Sequence, residues 1–269
     1  LLPSGQGNLY YQLVDSAGTP QLAADGLGLS PQQANQGAYQ VVGDGAGGFW
    51  VAWQDGRLQP PSIYVQHVDS TGALQLQPDG QLLRLATGPQ KGLALAQDGH
   101  GGVYIGWEET AEPTEAELAA YDPFAQDPGP KPAPHQDLWL QHLDRHGQAA
   151  WDGGARPLLQ LPGNQQNLQL TRALDGGLLA LWDDYRSGDR WQIFAQKLDT
   201  LGRRRWGRTG LAVSAFSDAH TRYPQFLDDG FGGLLATYET LDPRTGRDVV
   251  RTRITRHGEL AYRNAVCTE

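Results

Sequence analysis

The stretch GDGAGGFWVAWQDGR, residues 43 to 57, sets an Asp-led glycine turn before five almost wholly apolar residues that close on Trp53. A short apolar run bounded by turn residues reads as a strand buried on both faces, not as a helix. The same punctuation returns along the chain, with glycine pairs at Gly47-Gly48, Gly101-Gly102, Gly176-Gly177 and Gly232-Gly233, spaced 54, 75 and 56 residues apart. FWVAW is answered by VYIGW (103 to 107), LLALW (178 to 182) and LLATY (234 to 238), each closed by an aromatic. Self-similarity at a regular period is the signature of a repeat architecture.

Working outward, a second strand follows each apolar run: SIYVQHVD from Ser62, DLWLQHLD from Asp137, WQIFAQKLD from Trp191 and VVRTRIT from Val249. Each ends in a tight turn carrying Gly72, Gly147, Gly202 or Gly258, and NLYYQLVDSAG (8 to 18) is the same strand and turn standing alone. The fourth residue after each turn glycine is large and apolar (Leu22, Leu76, Trp151, Trp206, Tyr262) and marks the expected outer strand. A more variable strand, AYQVV, GLALA, LQLTR or YPQFL, precedes each glycine pair.

One unit is therefore a four-stranded antiparallel meander. Its inner strands are apolar on both sides, so neighbours must cover two faces at about 25 cal/mol per Å² of apolar surface. Radial stacking of blades meets that need. The expected fold is an all-β propeller of four-stranded antiparallel blades, a single domain over 1 to 269, with units at 31–83, 84–159, 160–214 and 215–269. Residues 8–30 supply the last two strands of a fifth blade, a half blade. RNAVCTE at 263 to 269 matches GLGLSPQ and GLAVSAF, so further residues or another chain are expected to complete that blade.

Composition narrows the functional classes. A formal net charge of -9 disfavours nucleic acid as a partner, because affinity there rests on clustered Lys and Arg. Arg203, Arg204, Arg205 and Arg208 read as a solvated edge that discourages sheet pairing. No apolar run approaches the roughly 18 residues of a membrane span. The chain has no Met and starts without signal-peptide regions, which implies a processed or trimmed N-terminus, and its one cysteine, Cys267, settles no redox compartment. No cofactor or metal motif is present. His67 and His142 hold equivalent positions that Leu13 and Lys197 hold elsewhere, as expected of an exposed strand face.

With the units laid out, GDGAGGFWVAWQDGR followed by SIYVQHVDSTGALQ, and the stretch from Leu174 to Ser214, resemble a repeat of large secreted bacterial proteins, mostly of unknown function. That repeat runs as a Gly-rich turn, W-x-D-x-R, then Q-x-x-D-x-x-G. The resemblance implies an extracellular or cell-surface location, or the periplasm, and transfers no catalytic residue. Trp107-Glu108-Glu109-Thr110 and Tyr238-Glu239-Thr240 depart from it.

The sets Trp53, Asp55, Arg57 and Trp182, Asp184, Arg186 read as structural braces tied by charge-assisted hydrogen bonds. The acidic pairs Glu108-Glu109 and Asp183-Asp184 raise glycoside hydrolysis, which needs two carboxylates flanking the bond. Sugar-cleaving propellers place acids where inner strands begin, and NQGAYQ, GPQKGL, GNQQNL and DAHTRY offer Asp218 alone. No catalytic residue is therefore assigned, and the chain is expected not to be an enzyme.

The unit at 84–159 carries an insertion at 109–136, where TEAELAAYD predicts one or two helical turns begun by Thr114 and DPGPKPAP an extended, stiff segment. Long loops in compact domains are usually functional or disordered. The insertion is expected to dock a protein partner through Glu109, Glu115, Glu117, Tyr121 and Phe124. The leading expectation is a non-catalytic exported scaffold or protein-interaction module in a cell-envelope or extracellular assembly. The alternative is a carbohydrate-binding or carbohydrate-cleaving propeller using Tyr121, Tyr185 and Trp191 with nearby acids.

Overall fold

Each glycine pair does turn the chain between two antiparallel strands, and the turn is repeated in four sheets of four strands. The computed structural model describes residues 7–32, 34–126, 131–214, 219–242 and 246–267. One sheet runs β3 (Gln36–Gly43), β4 (Phe49–Asp55), β5 (Ser62–Val68) and β6 (Gln81–Leu82) in sequence order, after a two-stranded sheet of β1 (Tyr10–Tyr11) and β2 (Leu27–Gly28). The next holds β7 (Gln90–Gln97), β8 (Val103–Ala111), β9 (His135–Leu143) and β10 (Arg156–Leu159), with α1 (Glu115–Ala120) between β8 and β9. The last two are β11 (Gln165–Arg172), β12 (Leu178–Asp184), β13 (Gln192–Leu198), β14 (Leu211–Ala212), and β15 (His220–Asp228), β16 (Leu234–Asp242), β17 (Gly246–Ile254), β18 (Leu260–Cys267). This is the all-β fold class of the β-propeller. Among the described residues no helix is long and apolar enough to cross a membrane.

Contacts divide the chain into two compact units, residues 1–107 with 140–156, and residues 108–139 with 157–269. In the first, Val51, Trp53, Tyr64 and Val68 form a core with Tyr11 and Leu29 of the two-stranded sheet. In the second, Leu179, Leu181, Ile193 and Ala195 pack with Leu234, Ala236, Tyr238, Val250 and Ile254. The runs VYIGW and LLALW are buried throughout, as strands covered on both faces must be. LLATY differs, because the hydroxyl-bearing Thr237 faces solvent.

The large residues after the D-x-x-G turns do not open the outer strands. Those begin later, at Gln81, Arg156 and Leu211, and only Tyr262 lies within one, β18. Trp151 and Trp206 are instead buried anchors set in loops. Trp206 lies against Gly258, the turn glycine of the next sheet, where a Cβ would stand 2.9 Å from the indole Cδ1. The indole Nε1–H donates to Arg256 O at 3.2 Å.

His67 and His142 do not lie on an exposed strand face. Both are buried, because each pairs with the aspartate that opens a glycine turn: His67 Nε2 with Asp44 Oδ2 at 2.9 Å, and His142 Nε2 with Asp98 Oδ2 at 3.0 Å. Trp50 stacks on His67 with ring centroids 4.3 Å apart. In the second unit Lys197 and Asp175, at 2.6 Å, and Arg253 and Asp229, at 2.8 Å, repeat the pair. A buried charge is tolerated when it is paired and hydrogen-bonded. Burial alone would raise Asp44 and Asp98, but the histidines and the N–H groups of the turn outweigh it and hold both carboxyls below the ordinary value.

Two outcomes follow for stability. Gly258 and Gly18 share a left-handed φ, +83° and +81°, but nothing lies within 4 Å of a Cβ added at Gly18. Gly18→Ala therefore costs about 1–2 kcal/mol for the backbone, and Gly258→Ala costs about 1–3 kcal/mol more for overpacking against Trp206, measured by denaturant unfolding. Because the folded-state values of Asp44 and Asp98 are depressed, their stabilisation is present above the ordinary value of 3.8 and is lost as pH falls through the folded value. Asp44→Asn combined with Asp98→Asn lowers the Tm at pH 7, and the difference from the parent shrinks once the pH is brought below that range.

Candidate active site

Successive side chains of a strand point to opposite faces, so adjacent acids at a strand end cannot act together. Trp182-Asp183-Asp184 shows the consequence. Asp184 accepts from Trp182 Nε1 at 2.8 Å and from Arg186 Nε at 2.8 Å, while the Arg186 guanidinium sits 3.7 Å from the Phe194 ring centroid. Asp55 accepts in the same way from Trp53 Nε1 at 2.9 Å and Arg57 Nε at 2.8 Å, with Arg57 4.0 Å over Tyr64. Burial would raise Asp55, but the bonds from Arg57 and Trp53 hold it low. These two carboxylates are saturated by their own arginine and indole.

Asp183 faces the other way, toward the inner strand. There β11 carries a bulge between Gln166 and Gln169, and Asn167 takes a left-handed φ of +56°. Asn and Asp tolerate that conformation better than other side-chain-bearing residues. The exposed Asn167 joins two buried carboxylates: its backbone N–H donates to Glu108 Oε1 at 2.7 Å, and its Nδ2–H donates to Asp183 Oδ2 at 2.6 Å. Arg222, at the matching bulge of β15, brings Nε to 3.7 Å from Asp183 Oδ2 and lies 4.8 Å from the Trp191 ring centroid. The other oxygen of Asp183 is buried and has no hydrogen-bond partner. Burial raises the Asp183 carboxyl above the ordinary range, against the opposing pull of Asn167 and Arg222. Such a group can carry a proton where an ordinary aspartate does not.

A cleft of about 590 Å³ opens beyond the same strand ends. The insertion supplies Tyr121, Lys131 and His135 to its wall, and the loops flanking β11 and β12 supply Asn164, Tyr185 and Arg186. Tyr185 packs on Trp191, ring centroids 5.0 Å apart. His135 Nε2 lies 3.6 Å from Asp137 Oδ1. Asp137 is buried, which raises its carboxyl, and Glu109 nearby raises it further against His135 and Gln160. Among the described residues no three His, Cys, Asp or Glu converge in a way that could hold a metal ion.

The insertion itself begins later than its sequence suggests. β8 runs on to Ala111 and buries Glu109, which therefore cannot be a docking residue on an exposed arm. Thr114 caps α1 in a reciprocal box with Glu117, while Glu115 stands exposed in the first turn. Tyr121 turns into the cleft, and Phe124 is 93% exposed. Asp218 and residues 127–130 of the proline-rich segment lie outside the described residues. Asn167 and Arg222 escaped the sequence reading because the acids reach the inner strands from the ends of the second strands. The column Gln54, Glu108, Asp183, Glu239 was the available signal.

No family model matches the sequence, and no curated protein matches it. Among solved structures, a protein of unknown function from Dyadobacter fermentans is similar with a TM-score of 0.53 at 10% identity, over 88% of this chain and 70% of that one. An endo-arabinase from Bacteroides thetaiotaomicron gives 0.40 at 14% identity over 84% and 76%, and an endo-arabinanase from Bacillus licheniformis 0.42 at 12% over 87% and 79%. The expectation of a non-catalytic module that is not an enzyme is corrected on the side chains, because Asn167 brings together two buried carboxylates, Glu108 and Asp183, one of them with a raised carboxyl. Likeness at this identity speaks to fold alone, so the chemistry is argued from the side chains.

Carboxyl-carbon NMR titration is expected to place the midpoints of Asp183 and Asp137 above that of an ordinary aspartate. Asn167→Ala removes a donor that stabilises the charged form and moves the Asp183 midpoint further up; a midpoint that falls or stays would contradict the bridged geometry.

Proposed function

We propose that the chain is a carbohydrate-cleaving β-propeller in which Glu108 and Asp183 act on a glycosidic bond and the Tyr121–Tyr185 cleft holds the sugar chain. The observation that carries this reading is the single asparagine that bridges two buried carboxylates from different sheets. Glycoside hydrolysis divides its work between a carboxylic acid and a carboxylate on either side of the bond. Asp183, with its raised carboxyl, is the proton donor to the leaving oxygen. Glu108, whose Oε1 already accepts an N–H, is the carboxylate that activates water or attacks the anomeric carbon. Arg222, 3.7 Å from Asp183, steadies the charge left there once the proton has gone.

Asn167 covers the pair, so a sugar hydroxyl must replace its side-chain bond to Asp183 before the acid can reach substrate. Aromatic faces suit a sugar, whose axial C–H groups stack on them while its hydroxyls bond to the polar rim. Tyr121 and Tyr185 provide the faces; Asn164, Lys131 and His135 provide the rim. A polysaccharide substrate also fits work outside the cytoplasm.

Release of reducing ends from a panel of neutral polysaccharides is the direct test. Asp183→Asn and Glu108→Gln should each lower kcat by about 10²–10⁴. Tyr185→Ala should raise KM with less effect on kcat. If the parent chain cleaves nothing, or if both carboxamide variants keep full activity, the assignment fails. Binding without cleavage would leave only the sugar-holding role.

A further inference from the structure

The two-stranded sheet β1–β2 has the chemistry of an unfinished four-stranded one. In β5, β13 and β17 the strand pairs on one edge with an outer strand and on the other with an apolar second strand. β1 pairs with β2 alone among the described residues. Its Leu9 and Leu13 carbonyls accept from Leu29 and Gln21 on the β2 side, and alternation turns the backbone groups of Tyr10, Gln12 and Val14 to the other edge.

Side-chain exposure points the same way. NLYYQLVD aligns with SIYVQHVD, so Tyr10 matches Tyr64 and Val14 matches Val68. Tyr64 is 7% and Val68 0% exposed, whereas Tyr10 is 63% and Val14 58% exposed. The cover at the finished strand comes from its neighbour in register: Trp53 stands opposite Tyr64 and Phe49 opposite Val68. The same rule sets Trp182 opposite Phe194 and Tyr238 opposite Val250. A second, separate patch agrees. Tyr39 and Val41 on β3 are more than half exposed, although the matching Leu93 and Leu95 on β7 are half-buried against the sheet before them.

We infer that the free edge of β1 is an acceptor for a β-hairpin of the chain's own repeat pattern: a variable strand, a glycine-pair turn and five apolar residues closing on an aromatic that lands opposite Tyr10. Edge pairing supplies the hydrogen bonds, and the alternate side chains supply specificity. The first strand of the hairpin covers Tyr39 and Val41. One feature of the incoming turn is also fixed. Leu13 stands where His67 and Lys197 meet a turn aspartate, so the turn of this hairpin finds no polar side chain to pair with and carries an uncharged residue there.

A synthetic peptide with the sequence of Gln165–Arg186, the β11–β12 hairpin, with Asp175 replaced by Asn, serves as the probe. Titrated into the full chain, it is expected to bind one to one and to slow hydrogen exchange at Tyr10, Gln12 and Val14 by about tenfold or more. A scrambled peptide should do neither. Tyr10→Asp combined with Val14→Asp, at positions already exposed in the free chain, should abolish the protection while leaving the Tm within a few degrees. No binding, or equal binding to the double variant, overturns the inference. So does protection of the same amides by dimerisation without peptide, which would give the edge to a second copy.

Discussion

A strand buried on both faces leaves its polar backbone satisfied only by its sheet neighbours and its side chains satisfied only by the sheets stacked against it. The second strand of each unit is under this constraint, and much of the rest is arranged around it. Glycine pairs let the chain turn into the strand without a side chain to bury. At its far end Trp53 and Trp182 are each held by an aspartate, and that aspartate by an arginine set over an aromatic ring. The anchors in the loops, Trp206 above all, press into the turn of the next sheet where a glycine leaves room. Polar chemistry is pushed to the two ends of the strands, because the middles have no place for it.

At one end the polar groups are spent on closure. Asp44 with His67, Asp98 with His142, Asp175 with Lys197 and Asp229 with Arg253 are four versions of one pairing, in which a turn aspartate meets a nitrogen-bearing side chain each time. At the other end the position after the aromatic meets the bulged inner strand of the following unit. Gln54 donates to the Gln90 carbonyl there, and Glu108 accepts from the Asn167 N–H. A carboxylate in place of the neutral glutamine turns a donor into an acceptor and adds charge that burial opposes. A raised Asp183 is the physical result, and a bridge of structural origin thereby becomes capable of acid chemistry.

The cleft and the carboxylates also differ in how they arise. The carboxylates sit on strands, where register fixes them to within a bond length, as a reacting group requires. The cleft is built from the insertion and two loops, where composition and length can vary without disturbing a ladder. Under the proposed reading, such a division lets a single scaffold keep its carboxylates while the wall of the cleft changes.

The sequence by itself determined the four meanders, their order and the half unit at residues 8–30, because glycine pairs, two-sided apolar runs and D-x-x-G turns are local signals with local causes. It also determined the capped turn of helix at Thr114. Tertiary structure alone decided which acids meet. Glu108 and Asp183 lie far apart in the chain, while the adjacent pairs that drew notice are split by strand alternation, one member to a brace and the other to the bulge. It decided as well that His67 and His142 are buried rather than exposed, since the aspartates that hold them come from turns on a different strand. Pattern in a sequence records what each strand needs along its own length; the distance between two side chains on different strands is set by register, bulge and stacking, and no single segment encodes it.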